Sequence, residues 1–186
     1  MNLTYYKRAA DKKSTLNKIR REGNVPASIY IKGSDAETIT VKGNEFSSHL
    51  RAVRPGFLPT AIFSLVDADG KVRKAVIKDI QYHPTTYQVL HLDFEELLDN
   101  VQVNVKVPIE FTGEAESQGI KLGGALRRVI RHVRVRCFPK DIPSFFTLDV
   151  RDLGERQARR LKDIQFPDTI RPLADLNEVA AVIVKR

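Results

Sequence analysis

The chain has 186 residues, 42% hydrophobic and 29% charged, a mixture that can bury a core and excludes wholesale disorder. Lys and Arg number 31 against 23 Asp and Glu, leaving a formal net charge of +8 that suits a polyanionic partner. The single cysteine, Cys137, excludes an internal disulfide and a cysteine-cluster zinc site, and the longest apolar run, Val179 to Val184, is far too short for a membrane span. Met1 to Arg8 lack the apolar core of a secretion signal, so a cytoplasmic location is expected.

The first 32 residues hold Lys7, Arg8, Lys12, Lys13, Lys18, Arg20, Arg21 and Lys32 against only Asp11 and Glu22, with Tyr5, Tyr6 and Tyr30 interleaved. Cations displace counterions from phosphates, and flat rings or phenol hydroxyls meet sugars and bases, so the mixture fits a nucleic-acid surface. A solvated basic loop has the same composition. Residues 12–22 read as a basic helical turn or loop, and Gly23-Asn24-Val25-Pro26 is a turn signal leading into a strand. Ile39 and Val41 alternate with polar residues as in a strand. Asn44 is expected to cap a short helix with Phe46, Leu50 and Val53 on one face. Ile62–Val66 and Val72–Ile80 predict a hairpin through Asp67-Ala68-Asp69-Gly70.

Asp79-Ile80-Gln81-Tyr82-His83-Pro84 and Val89-Leu90-His91-Leu92-Asp93-Phe94 read as neighbouring strands joined by a turn at residues 84–88. Alternation puts Val89, His91 and Asp93 on one face and Leu90, Leu92 and Phe94 on the other. On a wet face, His91 and Asp93 can exchange hydrogen bonds with sugar hydroxyls or base edges. They can equally form a structural pair. A sharper reading makes His83, His91 and Asp93 a metal triad, but no HExxH, Asp-rich loop or second carboxylate accompanies them.

The polar stretch Glu95 to Asn100 separates two strand-rich blocks, which predicts domains at 1–98 and 99–186, each with a net charge of +4. Val101 to Phe111 alternates without a break, predicting a strand with one dry face; Pro108, on the wet face, predicts an edge or a bulge. Val133–Phe138, Phe146–Val150 and Glu178–Val184 are further strands, and Arg156 to Lys162 carries no clear assignment. Residues 127–136 hold five arginines and no acid. Within this stretch Val133, Val135 and Cys137 face one way and His132, Arg134 and Arg136 the other, which reads as a charged outer face pairing with Asp149 or Asp152. Cys137 reads as a buried hydrophobe.

Arg20-Arg21-Glu22-Gly23-Asn24-Val25-Pro26-Ala27-Ser28-Ile29-Tyr30, with Asp79 to Pro84 and His91-Leu92-Asp93-Phe94, resembles the bacterial large-subunit ribosomal protein twenty-five family, which binds 5S rRNA. The second half is similar to the extension of its long form, the general stress protein CTC type. The matching stretches are Val107 to Ala115, Gly119 to Leu126, Pro139 to Pro143 and Asp149-Val150. The resemblance implies a mostly β fold: an N-terminal six-stranded β-barrel with short helices that docks on the loop E region of 5S rRNA, and a second β-rich C-terminal domain. It places RNA-facing positions at Arg8, Lys13, Lys18, Arg20, Arg21, Tyr30, Gln81, His91 and Asp93. Separately, the arginine stretch itself has a functional reading beside the charged outer face, a second contact with RNA or a ribosomal neighbour through Arg131, Arg134 and Arg136. Lys12 to Lys18 lacks the glycines of the family pattern and has Asn17 for an arginine, and Ile31 replaces the glycine after the tyrosine. No catalytic residue, metal or cofactor is expected. Three classes follow: a non-catalytic rRNA-binding component of the large ribosomal subunit, an RNA-acting hydrolase with a His/Asp metal site, and a basic protein-interaction module.

Overall fold

The computed structural model describes residues 1–8 and 12–185, and the chain divides into two compact units, Met1–Val103 and Asn104–Arg186. The first contains β1 (Asn2–Lys7), α1 (Lys13–Arg21), β2 (Asn24–Tyr30), β3 (Glu37–Lys42), α2 (Gly43–Ala52), β4 (Ile62–Val66), β5 (Val72–Tyr82) and β6 (Val89–Glu96). Its strands close into a barrel in the order β1-β3-β2-β6-β5-β4, where β1 meets β4 and β2 meets β6 in parallel and the other pairs are antiparallel. Closure leaves no sheet edge exposed.

Period-two alternation fills the barrel. Leu3 and Tyr5, Val25, Ala27 and Ile29, Ile39 and Val41, Phe63 and Leu65, Ala75 and Ile77, and Leu92 and Phe94 make one core. Tyr5 is thus a core residue, not part of a nucleic-acid surface, because it shares the inward face of β1 with Leu3. The predicted hairpin is β4–β5, paired from Ile62↔Val76 to Val66↔Val72. α2 lays Phe46 into the core, 6.4 Å from the Phe63 ring. Asn44 does not cap it: the helix begins at Gly43 after Lys42, without a side-chain cap. Glu45 instead ties α2 to β1, accepting the Thr4 N–H at 2.7 Å and the Thr4 hydroxyl at 3.0 Å. These bonds hold the Glu45 carboxyl below the usual range.

Arg73 of β5 joins Glu37 of β3, at 2.6 Å, to Glu96 of β6. Gly23 ends α1 in the left-handed conformation (φ +79°), and its carbonyl approaches Gly43 so closely that a Cβ there would sit 2.1 Å from it. Glu95 and Glu96, expected in the separating stretch, belong to β6; Glu95 is buried beside Lys78, with Nζ to Oε2 at 2.6 Å.

The second unit contains β7 (Val103–Thr112), α3 (Gln118–Lys121), β8 (Gly124–Arg128), β9 (His132–Cys137), β10 (Phe146–Asp149), β11 (Ala158–Arg160), β12 (Arg171–Pro172) and β13 (Val179–Lys185). They form a four-stranded sheet, β10-β7-β9-β12, and a three-stranded sheet, β11-β13-β8. The long alternating strand lies inside the first sheet, not at its edge. Pro108 is buried there and tolerated for a local reason. The Ile109 N–H points to the carbonyl of Arg131, just before β9, so the nitrogen of residue 108 faces the β10 side, where pairing begins only at Ile109↔Phe146. Residues 156–162 include β11 and enter a 3-10 turn at Leu161–Asp163.

Val133, Val135 and Cys137 point inward as the alternation predicts. Burial and nearby Asp141 push the Cys137 thiol up to about 11, so it stays protonated and inert. The acids expected to pair with β9 are engaged elsewhere, Asp149 with Arg151 and Asp152 with Arg159. Arg127 and Arg128 belong to β8, in the other sheet.

Candidate nucleic-acid interface

The polar positions of β2, β5 and β6 meet on the outside of the barrel. Parallel pairing sets Ser28 beside Asp93 and Tyr30 beside Glu95, while antiparallel pairing sets Gln81 beside His91 and Asp79 beside Asp93. Ser28 Oγ lies 3.4 Å from His91 Nε2, and His91 Nδ1 lies 3.2 Å from Asp93 Oδ1, out of line for a full hydrogen bond. With the proton on Nδ1, beside the carboxylate, Nε2 accepts from the Ser28 hydroxyl. The connectivity is that of a Ser-His-acid triad, but spread on the outer surface of a sheet it orients polar groups toward whatever docks there.

Two cations flank this row. Arg20 is half-buried; its Nε donates to the Leu90 carbonyl at 3.1 Å and Nη1 to Asn17 Oδ1 at 3.3 Å. Arg8 follows β1, donating from Nε to the Ile39 carbonyl at 3.0 Å while its backbone pairs with Thr38. Both guanidiniums are near enough to His91 to disfavour its protonation. Burial is the larger cause, and together these outweigh Asp93, so the imidazole titrates below its ordinary value. Burial, with help from Glu95 and Asp93, raises the Tyr30 phenol, which therefore stays protonated and able to donate.

The basic segment 12–22 resolves as a helix from Lys13. It has no fully buried residue, no side-chain N-cap and no acid in its first turn, whereas Lys18, Arg20 and Arg21 suit the negative end of its dipole. Leu16 and Ile19 are half-buried, and the Arg20 bond to β6 supplies an anchor that apolar burial does not. Lys13, Lys18 and Arg21 are exposed, Lys18 at 4.0 Å from Glu22. The structure therefore gathers Arg8, Arg20, Tyr30, Gln81, His91 and Asp93 around one outer face and sets Lys13, Lys18 and Arg21 on a neighbouring helix.

His83 does not join His91 and Asp93 as a third ligand. Its Nδ1 accepts the N–H groups of Thr85 and Thr86 at 3.3 and 3.2 Å, holding the β5–β6 turn. Among the described residues no group of three His, Cys, Asp or Glu side chains is placed to hold a metal. Ser28 is the member of this polar row that sequence reasoning missed. Its only signal is outward parity in β2, and its neighbours come from a strand more than sixty residues away.

A family model described as the Ribosomal L25p family matches residues 3–94, and one described as Ribosomal protein TL5, C-terminal domain, matches residues 102–186. Similar proteins, each named large ribosomal subunit protein bL25, include those of Chlamydia abortus at 47% identity, Chlamydia trachomatis at 45% and Chlamydia muridarum at 42%. Each alignment spans 186 residues and the whole of both chains. A barrel over the first match and a β-rich unit over the second agree with both, and the chain belongs to the ribosomal L25p family.

Proposed function

We propose that the chain is a non-catalytic component of the bacterial large ribosomal subunit, and so ribosome-associated in the cytoplasm, whose barrel binds 5S rRNA at its loop E region. Its relatives' name supports the subunit, and one observation carries the RNA reading. Two guanidiniums pinned by backbone carbonyls flank a half-buried Ser28–His91–Asp93 row on an open sheet face. Arg8, Lys13, Lys18, Arg20 and Arg21 supply charge to phosphates. Tyr30, Gln81, His91 and Asp93 supply register and shape selection in a widened groove. Asp93 repels phosphate, so its use is as an acceptor from an amino group or hydroxyl, or as the orienter of His91. The barrel segment 1–98 carries the binding, and the second domain, 99–186, is outside this contact.

Footprinting of 5S rRNA by the full chain tests the reading. Protection is expected to be confined to one irregular helix and to fade with Arg20→Gln. Protection spread evenly over regular helices contradicts it.

A further inference from the structure

The outer face of the β10-β7-β9-β12 sheet gathers cations that, among the described residues, no carboxylate pairs with. Arg136 of β9 is paired across the strands with Arg171 of β12, two like charges in register, an arrangement that opposes folding. The bond from the Ile109 N–H to the Arg131 carbonyl and that from Arg136 Nε to Asn104 Oδ1 (3.1 Å) run β7 and β9 in opposite senses. That register sets Lys106 beside Arg134. Lys106, Arg134 and Arg171 are exposed, and among the described residues none has an ion pair. The partner that steers Arg136 is the neutral Asn104, which occupies Nε and leaves the terminal nitrogens to donate outward. The carboxylate of β7, Glu110, is engaged and lies beyond Pro108, beside Thr147 of β10. Arg131 stands apart from this row, since it precedes β9 and shares the parity of inward-facing Val133.

We propose that this sheet face is a second RNA-binding surface, on which Lys106, Arg134, Arg136 and Arg171 hold the phosphates of an RNA backbone. The inference goes beyond the barrel contact and does not rest on it. Alternate residues of a strand stand about 7 Å apart and neighbouring strands about 4.8 Å apart, so the four cations form a grid on the scale of successive phosphates. A phosphate brought to this grid removes the repulsion between Arg136 and Arg171 and releases counterions. A protein partner fits less well. Leu173, which the register sets beside Arg134, and Phe138, which follows Arg136 on the same face, are 42% and 39% exposed, two apolar side chains beside four cations rather than the clustered apolar centre of a protein interface.

Arginine modification of the full chain by phenylglyoxal, mapped by mass spectrometry, tests the proposal. The probes are deproteinised large-subunit ribosomal RNA, a short A-form RNA duplex and polyglutamate. Either RNA is expected to protect Arg134, Arg136 and Arg171, with polyglutamate protecting far less. Combined K106Q/R134Q/R171Q is expected to lower the slope of log affinity against log salt for ribosomal RNA by about 2 to 3. Arginines that remain fully reactive with RNA bound, or an unchanged slope, overturn the proposal. Protection by polyglutamate and not by RNA also overturns it, in favour of an acidic protein. If the triple variant misfolds, protection in the unmodified sequence still decides, because it is read residue by residue.

Discussion

Burial, with Arg8 and Arg20 nearby, makes the His91 imidazole release its proton more readily than a free histidine despite the adjacent Asp93. The folded chain therefore prefers neutral His91, whereas the unfolded chain binds a proton below its ordinary value of 6.5. The unfolded state then holds more protons, so the stability contributed by His91 is complete above 6.5 and is lost as pH falls below it. Urea unfolding followed by resonances of β6 is expected to show that loss between about pH 7 and about pH 5, and His91→Gln is expected to flatten it. Identical pH profiles for the two chains contradict this account of the row. Under the proposed function the same charge balance bears on recognition: a neutral His91 presents a fixed donor and acceptor, and the guanidiniums supply the charge for phosphate.

At the scale of elements, the barrel needs three strands to keep their mutual positions, and Arg73 spans them. It reaches Glu37 of β3 and Glu96 of β6 from β5. Its side chain is 17% exposed and that of Glu96 is 13% exposed, so removing the cation strands the Glu96 carboxylate in a poorly solvated place, while Glu37 keeps Lys7 at 3.4 Å. Arg73→Met is expected to destabilise the first unit by about 2–3 kcal/mol, less than a fully buried pair because Glu37 is partly solvated. The change is measurable as faster native-state exchange of β5 and β6 amides; an effect within about 0.5 kcal/mol contradicts the clamp.

Strands with an unbroken period of two were legible in the sequence. The strand read over Val101 to Phe111 (Val103–Thr112 in the fold), the β4–β5 hairpin and the inward face of β9 follow from alternation and a turn signal. What escaped was whatever depends on long-range pairing. Tyr5 looked like a surface aromatic beside Lys7 and Arg8, and only barrel closure turns it inward. Asn44 looked like a cap, but α2 already begins at Gly43, where the chain passes close to the Gly23 carbonyl. Pro108 looked like an edge residue, and the short reach of β10 lets it sit in an interior strand. In the candidate interface, His91, Asp93 and Gln81 were legible because they lie on adjacent antiparallel strands. Ser28 was not, because it arrives through the parallel β2–β6 pairing. Arg20 was legible as a cation, yet its bond to the Leu90 carbonyl gives it a second task, holding α1 on the barrel.

Over the whole molecule, the two halves carry equal net charge, so total charge does not identify the binding half. Arrangement does. In the first unit cations flank a few rigid polar groups, which under the proposed function select among RNA shapes; in the second, under the further proposal, an open grid of like charges attracts without selection. The selective face is the central claim, and the most direct test is the ratio of affinities of the full chain for a 5S rRNA loop E fragment and for a regular RNA duplex of equal length, at physiological ionic strength. A preference of at least about a hundredfold, some 2.7 kcal/mol, is predicted, falling about tenfold in Asp93→Ala while duplex affinity barely changes. Equal affinity for the two RNAs, or an Asp93→Ala loss of the same size on both, would contradict the account.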